Sequence, residues 1–318
     1  MAVEELREYR PALAEPADLD AFWRATIDEA RAAATEPVLT PADTPVSELE
    51  VFDLTFSGFA GEPVKGWVIR PRGATEPRPV VVQYIGYGGG RGHAHENLAW
   101  AASGYVHLIM DTRGQGSQWT LGETADPHGS GPAIPGYMTR GIHDPHEYYY
   151  RRVYADAVRA VDTALALDGI DPERVAVLGG SQGGGIAIAA AALHPQVAAV
   201  MPDVPFLCDF PRSVAETPFG PFTELRQYLA SHRDEAARVF ETLSYVDGAL
   251  LARRVSAPAL FSVGLKDEVV LPSSIFAAYN ALGSADRTIE VYPFNGHDGG
   301  GAHQWRRQVE WLGERFAR

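Results

Sequence analysis

Two hydrophobic rhythms alternate along this chain. Short, mostly apolar runs closed by glycine or polar turns are separated by stretches in which apolar residues recur every three or four positions. The runs read as strands and the stretches as amphipathic helices. Leu19, Phe22, Trp23, Ile27 and Ala30 predict a helix over 18–34. Leu49 to Phe56 and Val64 to Arg70 alternate well enough to predict two strands, joined through Ser57 to Pro63. Pro79 to Ile85, Gly104 to Asp111, Val175 to Leu178, Ala198 to Val204, Pro258 to Gly264 and Thr288 to Pro293 supply further strands. The most continuous of these runs suit strands covered on both faces. Helices are predicted over 97–103, 146–167 and 186–193, with a last one starting near Gln304. This order implies an α/β fold with a mainly parallel central sheet and helices on both faces.

Two stretches break the alternation. Arg113 to Gly141 is rich in glycine, proline and polar residues and is too long for a routine connection. Cys208 to Ala252 holds helical pieces between two strands. Both are expected to be insertions, about 113–141 and 208–252, that roof a site or make subunit contacts. With them, residues 1–318 form one domain.

The chemistry gathers where strand passes to helix. Gly179-Gly180-Ser181-Gln182-Gly183 follows a strand and precedes Gly184-Gly185 and a helix. That is the context of a nucleophile elbow, with small neighbours around a strained serine. Free N–H groups of the new helix can then stabilise an oxyanion beside Ser181. A serine hydroxyl needs a base, and the base needs an orienting acid. Asp267 follows the 258–264 strand, and His297 sits in the Gly-rich loop after the 288–293 strand. The order Ser, Asp, His fits hydrolases of this architecture. Glu268 and Asp298 are the adjacent alternatives to these groups, and His303 reads as a surface or helix-start histidine.

Composition narrows the class. The apolar fraction of 46% suits a sizeable core, and the net charge of −14 disfavours sequence-independent nucleic-acid binding. No apolar run is long enough to span a bilayer. The charged start, Met1 to Arg10, lacks an apolar signal segment, and the lone Cys208 excludes an internal disulfide. Both lead to the expectation of a cytoplasmic protein, with Cys208 a buried, inert thiol. No HExxH or paired CxxC spacing occurs, so neither metal nor cofactor is expected.

Further motifs extend across the chain. They include Tyr84-Ile85-Gly86-Tyr87-Gly88-Gly89-Gly90, Arg113-Gly114-Gln115-Gly116, Met138-Thr139-Arg140-Gly141, Tyr148-Tyr149-Tyr150-Arg151-Arg152 and Asp203-Val204-Pro205-Phe206-Leu207-Cys208-Asp209. With the serine motif they resemble carbohydrate esterase family seven, the acetyl xylan esterase and cephalosporin C deacetylase family of α/β-hydrolases. The pairing of Arg-Gly-Gln with Gly-x-Ser-Gln-Gly is much more specific than the serine motif alone.

The resemblance implies Ser181 as nucleophile, Asp267 as acid, His297 as base, and the N–H groups of Tyr87 and Gln182 as the oxyanion hole. It makes Arg113 and Gln115 structural; an arginine at a strand end needs a carboxylate partner, for which Asp209 is a candidate. The chain departs from the family at Ile85, at Asp298, and in the segment Glu268-Val269-Val270-Leu271-Pro272 after Asp267. Val269 is a candidate pocket residue, with a plain core valine as its alternative. The implied activity is removal of O-acetyl groups from short acetylated xylo-oligosaccharides or from small molecules such as cephalosporin C. A homo-oligomer, by resemblance a hexamer with enclosed sites, is the expected assembly. Another carboxylesterase or peptidase of this fold is the main alternative, and a non-catalytic binding protein the lesser one.

Overall fold

The structure, a computed structural model, describes residues 1–317. Nine strands form one sheet in the order β1-β2-β3-β5-β4-β6-β7-β8-β9. They are β1 (Val38–Pro41), β2 (Leu49–Ser57), β3 (Pro63–Pro71), β4 (Arg78–Tyr84), β5 (Val106–Met110), β6 (Ile170–Gly180), β7 (Ala199–Asp203), β8 (Ala259–Gly264) and β9 (Arg287–Tyr292). Pairings from β1 through β3 to β5 are antiparallel, and every pairing from β5 through β4 to β9 is parallel. The expected mainly parallel sheet is thus present, with an antiparallel edge.

The continuous runs are explained by cover on both sides. Along β4, Val80 and Val82 join one core cluster while Val81 joins another. Successive side chains of a strand point to opposite faces. Val80 and Val82 share their cluster with Tyr150, Tyr154, Val161, Ile186 and Ile188 of the helices Tyr149–Ala166 and Gln182–Leu193. Val81 shares its cluster with Trp100, Trp311 and Leu312, the last two on the terminal helix Gly301–Phe316. Burying one such valine fully contributes about 1.5–3 kcal/mol.

The predicted elements fall close to the observed ones, with three absences. The helices Val3–Glu8 and Pro272–Ala281 and the edge strand β1 were not expected. β6 also begins at Ile170, ahead of its apolar run, because Ile170 pairs with Arg78. The stretch 113–141 contains neither helix nor strand, whereas 208–252 supplies several short helices, Phe222–Ser231 among them. Cys208 is fully buried. Among the described residues no helix is long and apolar enough to cross a membrane.

One proposed pairing is corrected. Arg113 does not meet Asp209. Its guanidinium forks onto Asp156, Nε at 2.6 Å and Nη2 at 2.8 Å, and also reaches Glu62. Asp209 instead accepts from the Tyr9 hydroxyl at 2.9 Å. The reason is topological: Arg113 leaves β5 toward the Tyr149–Ala166 helix, which carries Asp156, whereas Asp209 follows β7.

Candidate active site

β4, β6, β8 and β9 are parallel, so their carboxyl ends share one edge, where open α/β sheets place their ligands. The segments beginning at Ile85, Ser181, Leu265 and Pro293 leave from that edge. Ser181 has φ 56° and ψ −119°, a left-handed conformation rare for a residue with a Cβ. The turn is held by Ser181 N–H donating to Asp203 O (2.9 Å) and by Phe206 N–H donating to Ser181 O (2.9 Å). Gly183 makes it possible. A Cβ there would stand 2.2 Å from the Tyr84 carbonyl oxygen, so only glycine lets the helix start against the end of β4.

Asp267 is buried, and its Oδ1 accepts from the N–H groups of Val269 (2.8 Å) and Val270 (2.9 Å). Its Oδ2 lies 2.8 Å from His297 Nδ1. The neighbouring Glu268 is exposed. Asp298 folds back on its own loop, accepting from Gly296 N–H (3.1 Å) and Asn295 Nδ2 (2.7 Å). His303 is exposed on the last helix.

Ser181 and His297 line one cavity of about 590 Å³ together with Ile85, Tyr87, Trp119 and Val269. No Ser181–His297 hydrogen bond occurs among the described residues. Nucleophile–base contacts commonly tighten only when substrate is in place. A second cavity of about 590 Å³ lies between residues 12–18 and the 237–250 region, and no histidine lines it.

Tyr87 lines the cavity that Ser181 lines, and Gln182 follows the serine in the chain. Gln182 opens the helix, where backbone N–H groups lack intrahelical acceptors. Neither the Tyr87 nor the Gln182 N–H is engaged within the described residues. Their surroundings are rigidly tied. The Gln182 side chain donates to Ile85 O (3.0 Å) and pairs reciprocally with the Gln115 amide, whose Oε1 accepts from Gly88 N–H (2.7 Å). Trp119 Nε1 donates to Tyr87 O (2.8 Å).

Of the departures, Ile85, Val269 and Asp298 line the cavity, whereas Val270 is buried in the core and Leu271 lines a different depression. Three groups at the site escaped the sequence reading: Asp203, Glu224 and Trp119, all lining the cavity. Asp203 accepts from Gln304 Nε2 (3.0 Å) and Gln308 Nε2 (2.9 Å), and burial pushes its carboxyl up to about 7. Its side chain thereby ties β7, the strand beside the elbow's, to the helix after the His297 loop. The sequence signal was slight: a carboxylate ending an apolar strand, and an acid in the first turn of an inserted helix.

The sequence profile of the family described as Acetyl xylan esterase (AXE1) matches residues 1–315. Acetyl xylan esterase from Paenibacillus sp. R4 is 36% identical, with TM-score 0.90 over 98% of this chain and 99% of that one. Acetyl xylan esterase 1 from Thermoanaerobacterium sp. JW/SL YS485 is 31% identical, with TM-score 0.90 over 99% of both chains. Acetyl esterase Axe7A of Xylanibacter ruminicola is 27% identical over 292 residues. That match covers 91% of this chain but 65% of the longer relative.

Proposed function

The chain belongs to the acetyl xylan esterase family, and from that premise we propose that it is a serine esterase that removes O-acetyl groups from short acetylated xylo-oligosaccharides. Ser181 attacks the acetyl carbonyl while His297, oriented by Asp267, takes the serine proton. The Tyr87 and Gln182 N–H groups receive the oxyanion. The sugar alcohol leaves with the proton from His297. Water, activated by the same base, then releases acetate from Ser181. The observation that carries this reading is the 2.8 Å His297–Asp267 contact, with His297 lining the same cavity as Ser181.

The choice of a sugar follows from charge. The cavity lining includes the carboxylates of Glu224 and Asp298 and no lysine or arginine. Such a wall favours a neutral acetylated sugar over a carboxylate-bearing antibiotic such as cephalosporin C. Assembly into a hexamer belongs to the same reading. Trp119, Leu121 and Ile134 of the 113–141 stretch are 58%, 49% and 70% exposed, whereas Tyr137 and Met138 are buried in their own subunit. Exposed apolar groups so grouped in sequence support a subunit contact.

The test is acetate release from acetylated xylobiose, compared with cephalosporin C and with octanoate esters. The sugar ester should be the best of the three. Faster hydrolysis of octanoate would end the acetyl esterase reading, because a pocket built for acetyl is overpacked by longer chains.

A further inference from the structure

We propose that Glu224 is a positioning residue for the oxyanion hole: its carboxylate holds the Tyr87 phenol, and through that side chain it fixes where the Tyr87 N–H points. The inference rests on the esterase reading above and extends it to an inserted helix that the reaction itself does not require.

Tyr87 is held from several directions. Its hydroxyl donates to Glu224 Oε1 at 2.6 Å and accepts from the N–H groups of Tyr137 (3.0 Å) and Gly136 (3.3 Å). Its carbonyl is held by Trp119. The Tyr137 ring meets the Tyr87 ring edge-on at 5.2 Å. The second oxygen of Glu224 accepts from Met138 N–H at 3.2 Å. One carboxylate therefore joins the 113–141 stretch, the 208–252 stretch and the loop after β4.

The helix that carries Glu224 is itself anchored to the rest of the site. Phe222 packs on Phe206 at 4.3 Å between ring centroids, and Phe206 N–H is the donor to Ser181 O. At the same end, Gly220 has φ +80°, and a Cβ there would stand 2.7 Å from Val269, two residues beyond Asp267. The Phe222–Ser231 helix and its lead-in thus touch the elbow, the acid loop and the oxyanion loop. Glu224 lies in the first turn of that helix, where the free N–H groups favour a negative side chain. Burial raises the pKa of both partners, which keeps Tyr87 a hydroxyl donor. An oxyanion donor must point at the developing charge within a few tenths of an ångström, so a slack tyrosine weakens transition-state binding before it weakens substrate binding.

The test is steady-state kinetics on 4-nitrophenyl acetate with Glu224→Ala, Glu224→Gln, Tyr87→Phe and the Tyr87→Phe/Glu224→Ala double variant, with a melting curve for each. Glu224→Ala and Tyr87→Phe should each lower kcat about tenfold and leave KM within about twofold. Glu224→Gln keeps an acceptor oxygen and should recover kcat to within about threefold of wild type. The double variant should be no slower than the slower single, because both changes cut the same bond. An active wild type whose kcat is unmoved by Tyr87→Phe, or by Glu224→Ala despite a lowered melting temperature, overturns the inference and leaves the esterase reading standing. Multiplying losses in the double variant, or losses carried by KM, overturn it equally. A wild type that releases no acetate from any ester removes both.

Discussion

Gly183 decides whether Ser181 can stand where it does. A methyl group at Gly183 would collide with the backbone of Tyr84, which cannot swing away as a side chain can. Gly183→Ala should therefore lower the melting temperature and abolish soluble esterase activity together, by about 1–3 kcal/mol in stability. Full activity in that variant would show that the turn is not held as described. His297 gives a second prediction. Acid converts the imidazole to an imidazolium that cannot take the serine proton, so kcat/KM should fall on acidification. A flat profile would remove His297 as the base. At this scale the elbow and the order of Ser181, Asp267 and His297 were legible, because strand, turn and helix are local signals. Glu224 was not, since its meaning depends on Tyr87, 137 positions away. The misassigned partner of Arg113 has the same origin: sequence offers many carboxylates and no distances.

Strands were legible in proportion to how completely they are covered, and helices in proportion to how one-sidedly they are buried. The run through β8 is apolar apart from Ser262 because all of it is covered. The Pro272–Ala281 helix escaped notice for a related reason. Ile275, Phe276, Ala277 and Ala278 are all buried, so no stripe of period 3.6 marks it. β1 is an exposed edge strand ending at Pro41, and Val38 is 60% exposed, so it carries little pattern. Inside the sheet, β5 places a fully buried His107 with Nδ1 3.0 Å from Asn97 O and Nε2 2.9 Å from the Gln83 side-chain amide. Burial pushes its pKa down from 6.5 to about 4. The unfolded chain then binds a proton that the native ring refuses. The stabilisation is complete above about pH 6.5 and disappears as pH falls through 4, on the order of 3 kcal/mol in all. His107→Gln should accordingly lose less melting temperature than wild type between pH 7 and 4.5. Parallel curves for the two proteins would contradict this account of His107.

For the whole molecule, the insertions carry the functional proposal beyond the sheet. They were recognised as departures from the strand–helix alternation, but their contacts with Tyr87 and Val269 needed the folded chain. The apolar groups that stay exposed on 113–141 lead to an assembly test. Light scattering at micromolar concentration should give a hexamer mass, and a monomer mass would contradict the proposed assembly. The acidic cavity leads to another. Acetylated xylobiose should be hydrolysed with a higher kcat/KM than cephalosporin C, and added salt should narrow the gap by screening the carboxylates. The central claim is that Ser181 carries the acetyl group between donor and water. Wild type and Ser181→Ala, mixed with 4-nitrophenyl acetate and quenched in acid, can be weighed by intact-protein mass spectrometry with peptide mapping while turnover is followed in parallel. The account predicts one acetyl group on the Ser181 peptide of wild type, none at position 181 of the variant, and turnover lower in the variant by at least about a thousandfold. An acetyl group found on another residue of an active wild type, or a Ser181→Ala enzyme keeping more than about a tenth of its rate, would contradict it.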